Sequence, residues 1–235
     1  MSEPAIGGGD GAARIYHAAA TLPPVRPDRP LVVLDVDEVV LAFLDGLDAW
    51  LAELGLHLAR DSFALNGNVR RADGTPVETH ELRDLLHGFF AGGADSLAPL
   101  PGALDGIAAL AGLAEIVYLS NLPAAAAGAR RTNLDGHGLA HPLIVNEGPK
   151  GPALARLTAA MAAPAVFVDD SPGNIASASE AAGHVHLVHF VADAGFRARV
   201  APHPGIGLLT GDWDEAARHV ADHIAATWTP AGTQP

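Results

Sequence analysis

Leu31-Val32-Val33-Leu34-Asp35-Val36-Asp37-Glu38-Val39-Val40 is a short apolar run, rich in β-branched residues, that runs into carboxylates. Such a run reads as a strand buried on both faces. In an extended segment residues i and i+2 share a face, so Asp35 and Asp37 are expected to point the same way. Two unit charges about 4 Å apart repel by about 4 kcal/mol at an effective dielectric near 20. A fold keeps such a pair at a buried strand end more readily when a cation or a proton offsets it. The plainer alternative is a strand that ends in a solvated acidic turn.

Beyond residue 101 the chain alternates between helical spacing and short apolar runs. Strands are expected over 115–120, 143–145, 165–168 and 184–190, and helices over 102–112, 123–134, 149–161 and 172–182. That rhythm implies a parallel sheet with helices on both faces. A last helix over 212–228 gathers Trp213, Ala216, Val220 and Ile224 on one face, with Asp212 as its N-cap. Between the first strand and the second lie helical patterns over 41–58 and 77–90, with turn signals at Asn66-Gly67-Asn68 and Ala72-Asp73-Gly74. Residues 41–97 are therefore expected to form an inserted small helical cap, and residues 30–40 with 98–228 the α/β core. Residues 1–29, rich in Gly, Pro and Ala, read as a loosely attached arm, or as one packed along the domain through the apolar Ile15, Tyr16 and Leu22, and 229–235 as a frayed tail.

Composition excludes several classes of function. A formal net charge of −13 provides no basic face for nucleic acid. Without cysteine there are no disulfides, thiolate metal sites or cysteine nucleophiles. No apolar run approaches the ~20 residues of a membrane span, and no secretory leader pattern opens the chain, so a cytoplasmic protein is expected.

Open parallel sheets bind ligands beyond the carboxyl ends of their strands. The candidate strands and connections deliver Asp35 and Asp37, then Ser120 and Asn121, then Lys150, then Asp169 and Asp170. Pro123, Pro149 and Pro172 open the helices that follow, and Ser171 suits an N-cap. Helix N-termini at that rim present free N–H groups to an anion. Acids, a lysine, a hydroxyl and helix N-termini in one crevice describe a divalent cation beside a phosphoryl group.

The motifs resemble those of the haloacid dehalogenase (HAD)-like hydrolase superfamily, over residues 30–190. Leu34-Asp35-Val36-Asp37-Glu38-Val39 matches its first motif, and Val117-Tyr118-Leu119-Ser120-Asn121 its second. Lys150, in Gly148-Pro149-Lys150-Gly151, matches the third, and Val166-Phe167-Val168-Asp169-Asp170 the fourth. The resemblance implies a Rossmann-like, three-layer parallel sheet and a phosphohydrolase acting on a small phosphorylated metabolite with Mg²⁺. In that scheme Asp35 is the nucleophile and Asp37 the general acid and base. Ser120, Lys150 and the Asn121 N–H bind the phosphoryl group. Asp35, Asp170 and the Asp37 carbonyl hold the ion, with Asp169 assisting; an all-oxygen set beside phosphate suits Mg²⁺ over zinc. Without the cation, at least one of these carboxyls is expected to have a raised pKa.

The sequence departs from the family pattern at three positions. Glu38 adds an acid on the leaving-group side, which points to a poorly charged substrate. Gly151 stands where many relatives carry proline, and Asn174 where many carry an acid. A phosphomutase, or a binding or regulatory protein that kept the fold, are the alternatives. Carbon–halogen cleavage fits less well, because the dehalogenases usually lack the second aspartate.

The remaining polar residues have plainer readings. His184, His186 and His189 fall on one expected strand, where they read as polar edge positions before a zinc site. Arg70 and Arg71 read as an exposed basic turn, His80 and His87 as solvated helix positions, and Trp50, Phe89 and Phe90 as cap core.

Overall fold

The computed structural model describes residues 14–62 and 64–229. The expectations for residues 1–13 and 230–235 lie outside the described residues. Seven parallel strands form the central sheet, in the order β1-β6-β5-β2-β7-β8-β9. They are β1 (Ile15–His17), β2 (Leu31–Leu34), β5 (Glu115–Asn121), β6 (Leu143–Asn146), β7 (Ala165–Asp169), β8 (His186–Phe190) and β9 (Ile206–Thr210). β2 lies between β5 and β7, with Leu34 level with Tyr118 on one side and Val168 on the other. From β2 the chain adds β5 and β6 on one side, then crosses to add β7, β8 and β9 on the other. The order therefore reverses at β2, which places the crevice of an open sheet at its carboxyl end.

All four residues of β2 are buried, as the apolar run requires. Val32 and Leu34 pack on one face with Ile107 and Leu110 of α3 (Ala103–Leu113) and Val220 and Ile224 of α8 (Trp213–Thr227). Leu31 and Val33 pack on the other with Leu154 and Leu157 of α5 (Gly151–Thr158) and Ile175 and Ala178 of α6 (Pro172–Ala181). The period of two along a strand thus divides one strand between two cores. Asp212 caps α8 by accepting from the Glu215 N–H (2.8 Å), and Trp213 Nε1 donates to the Val39 carbonyl (2.7 Å). That bond ties the last helix to the loop after β2.

Several expectations are corrected. Residues 15–17, expected in a loose arm, form β1 and pair with β6; three residues are too few for a periodic signal. The inserted segment is not helical throughout. It holds α1 (Phe43–Glu53) and α2 (Thr79–Gly92), but between them β3 (Leu56–Leu58) and β4 (Val69–Arg71) pair as an antiparallel hairpin. Gly55 at φ +72 stops α1 short of residue 58. Short α7 (Ala194–Arg197) and β9 occupy a stretch without pattern in the sequence. α5 starts at Gly151 rather than Pro149, and a 3₁₀ turn over Ala124–Ala126 precedes α4 (Ala127–Gly136). Among the described residues, no helix is long and apolar enough to cross a membrane.

Candidate active site

Asp35 remains in register with the sheet, its N–H donating to Val168 O (2.9 Å). The chain then closes a tight loop, in which the N–H groups of Val40 and Leu41 both reach Val36 O (2.9 Å). Within it Glu38 adopts φ +60, the one non-glycine residue in that region among those described. Left-handed backbone is uncommon for a side-chain-bearing residue and clusters at functional sites.

Lys150 is fully buried, with its ammonium 2.7 Å from Asp35 Oδ1 and 2.7 Å from Asp169 Oδ2. Asp35 Oδ1 also accepts from the Val36 N–H (2.6 Å), whereas no partner of Oδ2 is found among the described residues. One oxygen of the carboxylate is fixed and the other is left for chemistry. Carboxylate oxygens of Asp35, Asp169 and Asp170 lie within 4.8 Å of one another. An all-oxygen cluster of that size fits a hard cation such as Mg²⁺. Both oxygens of Asp169 are engaged, by Lys150, by the Ser171 N–H (2.8 Å) and by Asn174 Nδ2 (3.2 and 3.3 Å). Asn174, at the position where an acid was the family pattern, thus orients Asp169.

Gly151 has a packing reason. A Cβ there would collide with the Ser177 carbonyl of α6, so only glycine lets α5 begin against α6 and deliver Lys150 to Asp169. Asn121 acts on the same connection. Its Nδ2 donates to Gly148 O (2.9 Å) and its Oδ1 accepts from Asn146 (2.8 Å), clamping the loop that carries Lys150. Its side chain is therefore spent on that loop and does not line the cavity described below. Ser120 is fully buried at the end of β5, and its Oγ has no hydrogen-bond partner among the described residues.

Asp37 has a partner that sequence reading missed. Arg130 of α4 is 2 % exposed and its Nη2 lies 2.8 Å from Asp37 Oδ1. Neither Nη1 nor Nη2 makes an aligned hydrogen bond among the described residues. The only signal in the sequence was position: Ala127, Arg130 or Arg131, and Leu134 recur at the spacing of a buried helix face. His189, on β8, holds Asp170 from behind, with Nε2 2.8 Å from its carbonyl.

The acids respond to burial. Asp35 is pushed up to about 7 by burial, which Lys150 opposes and Asp169 and Asp37 reinforce. Burial likewise raises Asp37 against Arg130 and Lys150, and carries Glu38 to about 7. Asp170 stands well above the ordinary carboxylate range, through burial and then the charges of Asp35 and Asp169. Burial would lower Lys150, but Asp169 and Asp35 outweigh it and hold the ammonium above its ordinary value. The raised carboxyl expected of the cation site thus appears at Asp35, Asp37 and Asp170, and Glu38, outside that set, is raised as well.

In front of these acids is a cavity of about 230 Å³. Asp35, Asp37, Glu38 and Asp170 form one wall, and Phe43, Leu44, Ala64, Leu65 and Phe196 the apolar rest. Ala64 and Leu65 come from the inserted segment. The other sequence candidates lie elsewhere. Arg70 pairs with Asp61 (2.7 Å) and Arg71 with Glu81 (2.7 Å). Phe43, Trp50, Phe89 and Phe90 pack against one another at centroid distances of 5.4–5.9 Å. His80 and His87 are exposed. His184 precedes β8 and lies 3.0 Å from Thr158 Oγ1, apart from His186 and His189.

No protein-family model matches the sequence, and no curated relative matches it. Solved structures do. A HAD-family hydrolase from Deinococcus radiodurans R1, solved with bound phosphate and sodium, superposes with a TM-score of 0.54 at 20 % identity, over 88 % of this chain and 100 % of that one. The chain has the HAD-like fold. A HAD-like hydrolase from Streptococcus pneumoniae superposes with a TM-score of 0.58 at 14 % identity, covering 82 % and 99 % of the two chains. The magnesium-bound HAD hydrolase YfnB of Bacillus subtilis gives 0.54 at 14 %, covering 81 % and 97 %. At such identities the HAD-like likeness is one of fold, and the chemistry has to be argued from the residues above.

Proposed function

We propose that the protein is a Mg²⁺-dependent phosphohydrolase that cleaves a small phosphorylated metabolite through an aspartyl-phosphate on Asp35. One observation carries the reading: Lys150 and the Val36 N–H immobilise Asp35 Oδ1, Oδ2 has no partner among the described residues, and the same carboxylate clusters with Asp169 and Asp170. Phosphate in one structural neighbour and magnesium in another support it by analogy.

In this scheme Asp35 Oδ2 attacks phosphorus as the ester oxygen of the leaving alcohol departs with a proton from Asp37. The ionised Asp37 then takes a proton from water, which attacks the aspartyl-phosphate, releases inorganic phosphate and restores Asp35. Burial favours the protonated form of Asp37, which suits the first step, and Arg130 steadies the carboxylate for the second. A cation held by Asp35, Asp170 and the Asp37 carbonyl would neutralise charge on the phosphoryl oxygens. Asp169 acts by fixing Lys150, while Ser120 Oγ, unpartnered, is free to donate to the phosphoryl group. Residues 41–97 serve as the cap, since Ala64 and Leu65 close the cavity. Halide needs no proton to leave, so dehalogenation would give the Asp37–Arg130 pair no task.

Release of phosphate from an aryl phosphate is the direct test. Turnover should require Mg²⁺, stop with chelator, and fall by at least about a thousandfold in Asp35→Asn, the scale of losing a covalent nucleophile. Asp37→Asn should lower kcat more than it raises KM. A protein that binds phosphate esters with Mg²⁺ yet hydrolyses none would be the binding protein instead.

A further inference from the structure

Glu38 has no part in the chemistry above, yet it is one of the most constrained acids in the molecule. It is 8 % exposed. Its Oε1 accepts from the Leu44 N–H (2.7 Å), and no cationic side chain pairs with it among the described residues. It faces the reaction cavity and, on its other side, a second cavity of about 270 Å³ that it shares with Leu44. The second cavity adds Asp45, Asp193, Asp212 and the Trp213 ring to the wall.

Some of that acidity is already answered. Asp193 pairs with Arg60 (2.9 Å) and accepts from the Phe196 N–H, and Asp212 caps α8. Glu38 and Asp45 have no such cation among the described residues. Lys150 is committed to Asp35 and Asp169, and Arg130 to Asp37. No lysine, arginine or histidine is among the described residues that line either cavity. A leaving group that carried a carboxylate or a second phosphate would find no partner and would meet Glu38. A hydrocarbon chain suits Phe43, Leu44 and Leu65, and a buried carboxylate is best satisfied by a donor that also brings positive charge. The volume is below that of drug-sized pockets and limits the chain to a few carbons.

We propose that Glu38 selects the leaving group by receiving its ammonium, which makes phosphomonoesters of short amino alcohols the substrate class. This rests on the phosphohydrolase reading of the same site. The cation of the substrate stands where the described residues supply none, and the apolar wall carries the carbons between ammonium and phosphate.

Three esters of equal length test it with Mg²⁺ present: 2-aminoethyl phosphate, its methyl isostere propyl phosphate, and the carboxylate 2-phosphonooxyacetate. An aryl phosphate runs alongside as the check on hydrolysis itself. The expected kcat/KM for the ammonium ester is at least tenfold above the neutral one, with the carboxylate at least tenfold below that. In Glu38→Gln and Glu38→Gly the ammonium-to-neutral ratio should fall to within threefold of one. Glycine suits φ +60, so the second variant has no backbone reason to misfold. A parent ratio near one, or a ratio that survives in both variants, overturns the assignment while aryl turnover leaves the hydrolase reading standing. No turnover of any ester, aryl included, overturns both.

Discussion

The molecule concentrates like groups in two places and treats them differently. At the carboxyl end of β2 it gathers Asp35, Asp37, Glu38, Asp169 and Asp170, answered among the described residues by Lys150 and Arg130. One strand in from the β9 edge of the sheet, His186 of β8 lies with Nε2 2.9 Å from His219 Nε2 and its ring stacked 3.8 Å from that of His223, both on α8. The imidazoles resolve the conflict alone: burial first, then His223 and His219, push His186 down to about 4, and a neutral ring carries no charge to repel. A carboxylate near neutral pH has no such cheap exit. Even with Asp35 raised to about 7, the rim must hold protons or a cation. Density of titratable residues is therefore a poor guide to function. What matters is whether the groups can discharge one another, and at the rim they cannot.

Lys150→Met should have the largest effect on this contrast. It leaves Asp35 and Asp169 buried without their ammonium, a loss on the order of 3–5 kcal/mol, read as a drop in urea midpoint without change of slope. Added Mg²⁺ should recover part of it. A loss of less than about 1 kcal/mol, taken as midpoint times slope, would mean that the lysine does not balance the acids.

Smaller is the gain from Mg²⁺ itself, about 2.7 kcal/mol at a hundredfold over Kd. A carboxyl raised in the fold contributes stability that is fully present below its ordinary value near 4 and is lost as pH rises through about 7. The metal-free protein thus gives up this contribution across that window. At pH 8 the cation meets ionised ligands, whereas at pH 5.5 it must displace protons. The rise in Tm on adding Mg²⁺ should accordingly be larger at pH 8 than at pH 5.5. The opposite order would remove the carboxylates from the cation site.

Smallest is the histidine edge. A depressed imidazole contributes stability that is present above its ordinary value of 6.5 and lost as pH falls through about 4. His186→Phe keeps the ring stack and should flatten the acid-side loss of Tm. The change is only about 1 kcal/mol, because the half-buried ring is screened by solvent. An unchanged acid limb would show that these rings do not share a proton balance.

Local chemistry made part of this molecule readable. Leu31 to Leu34 is apolar without alternation because it is buried on both faces, and the alternation of strands and helices beyond residue 101 follows from the same need. Acids placed at successive strand ends announced the rim, because a parallel sheet carries every strand end to one side. Partly buried strands left no such trace: β1, the β3–β4 hairpin and β9 carry no continuous apolar run, because only some of their residues face a core.

By itself, then, the order of residues determined a parallel α/β sheet, an insertion after β2, and Asp35, Asp37, Ser120, Lys150 and Asp170 as candidates, since burial pattern and strand-end position are local properties. Only the tertiary structure decided that Arg130 faces Asp37, that Asn121 clamps a loop, that Asn174 holds Asp169, and that Glu38 turns into a cavity with no cationic side chain among its described lining residues. Those pairings join residues that the chain keeps apart, or depend on a backbone conformation set by neighbours. No spacing along the sequence encodes the distance at which two distant side chains share a charge.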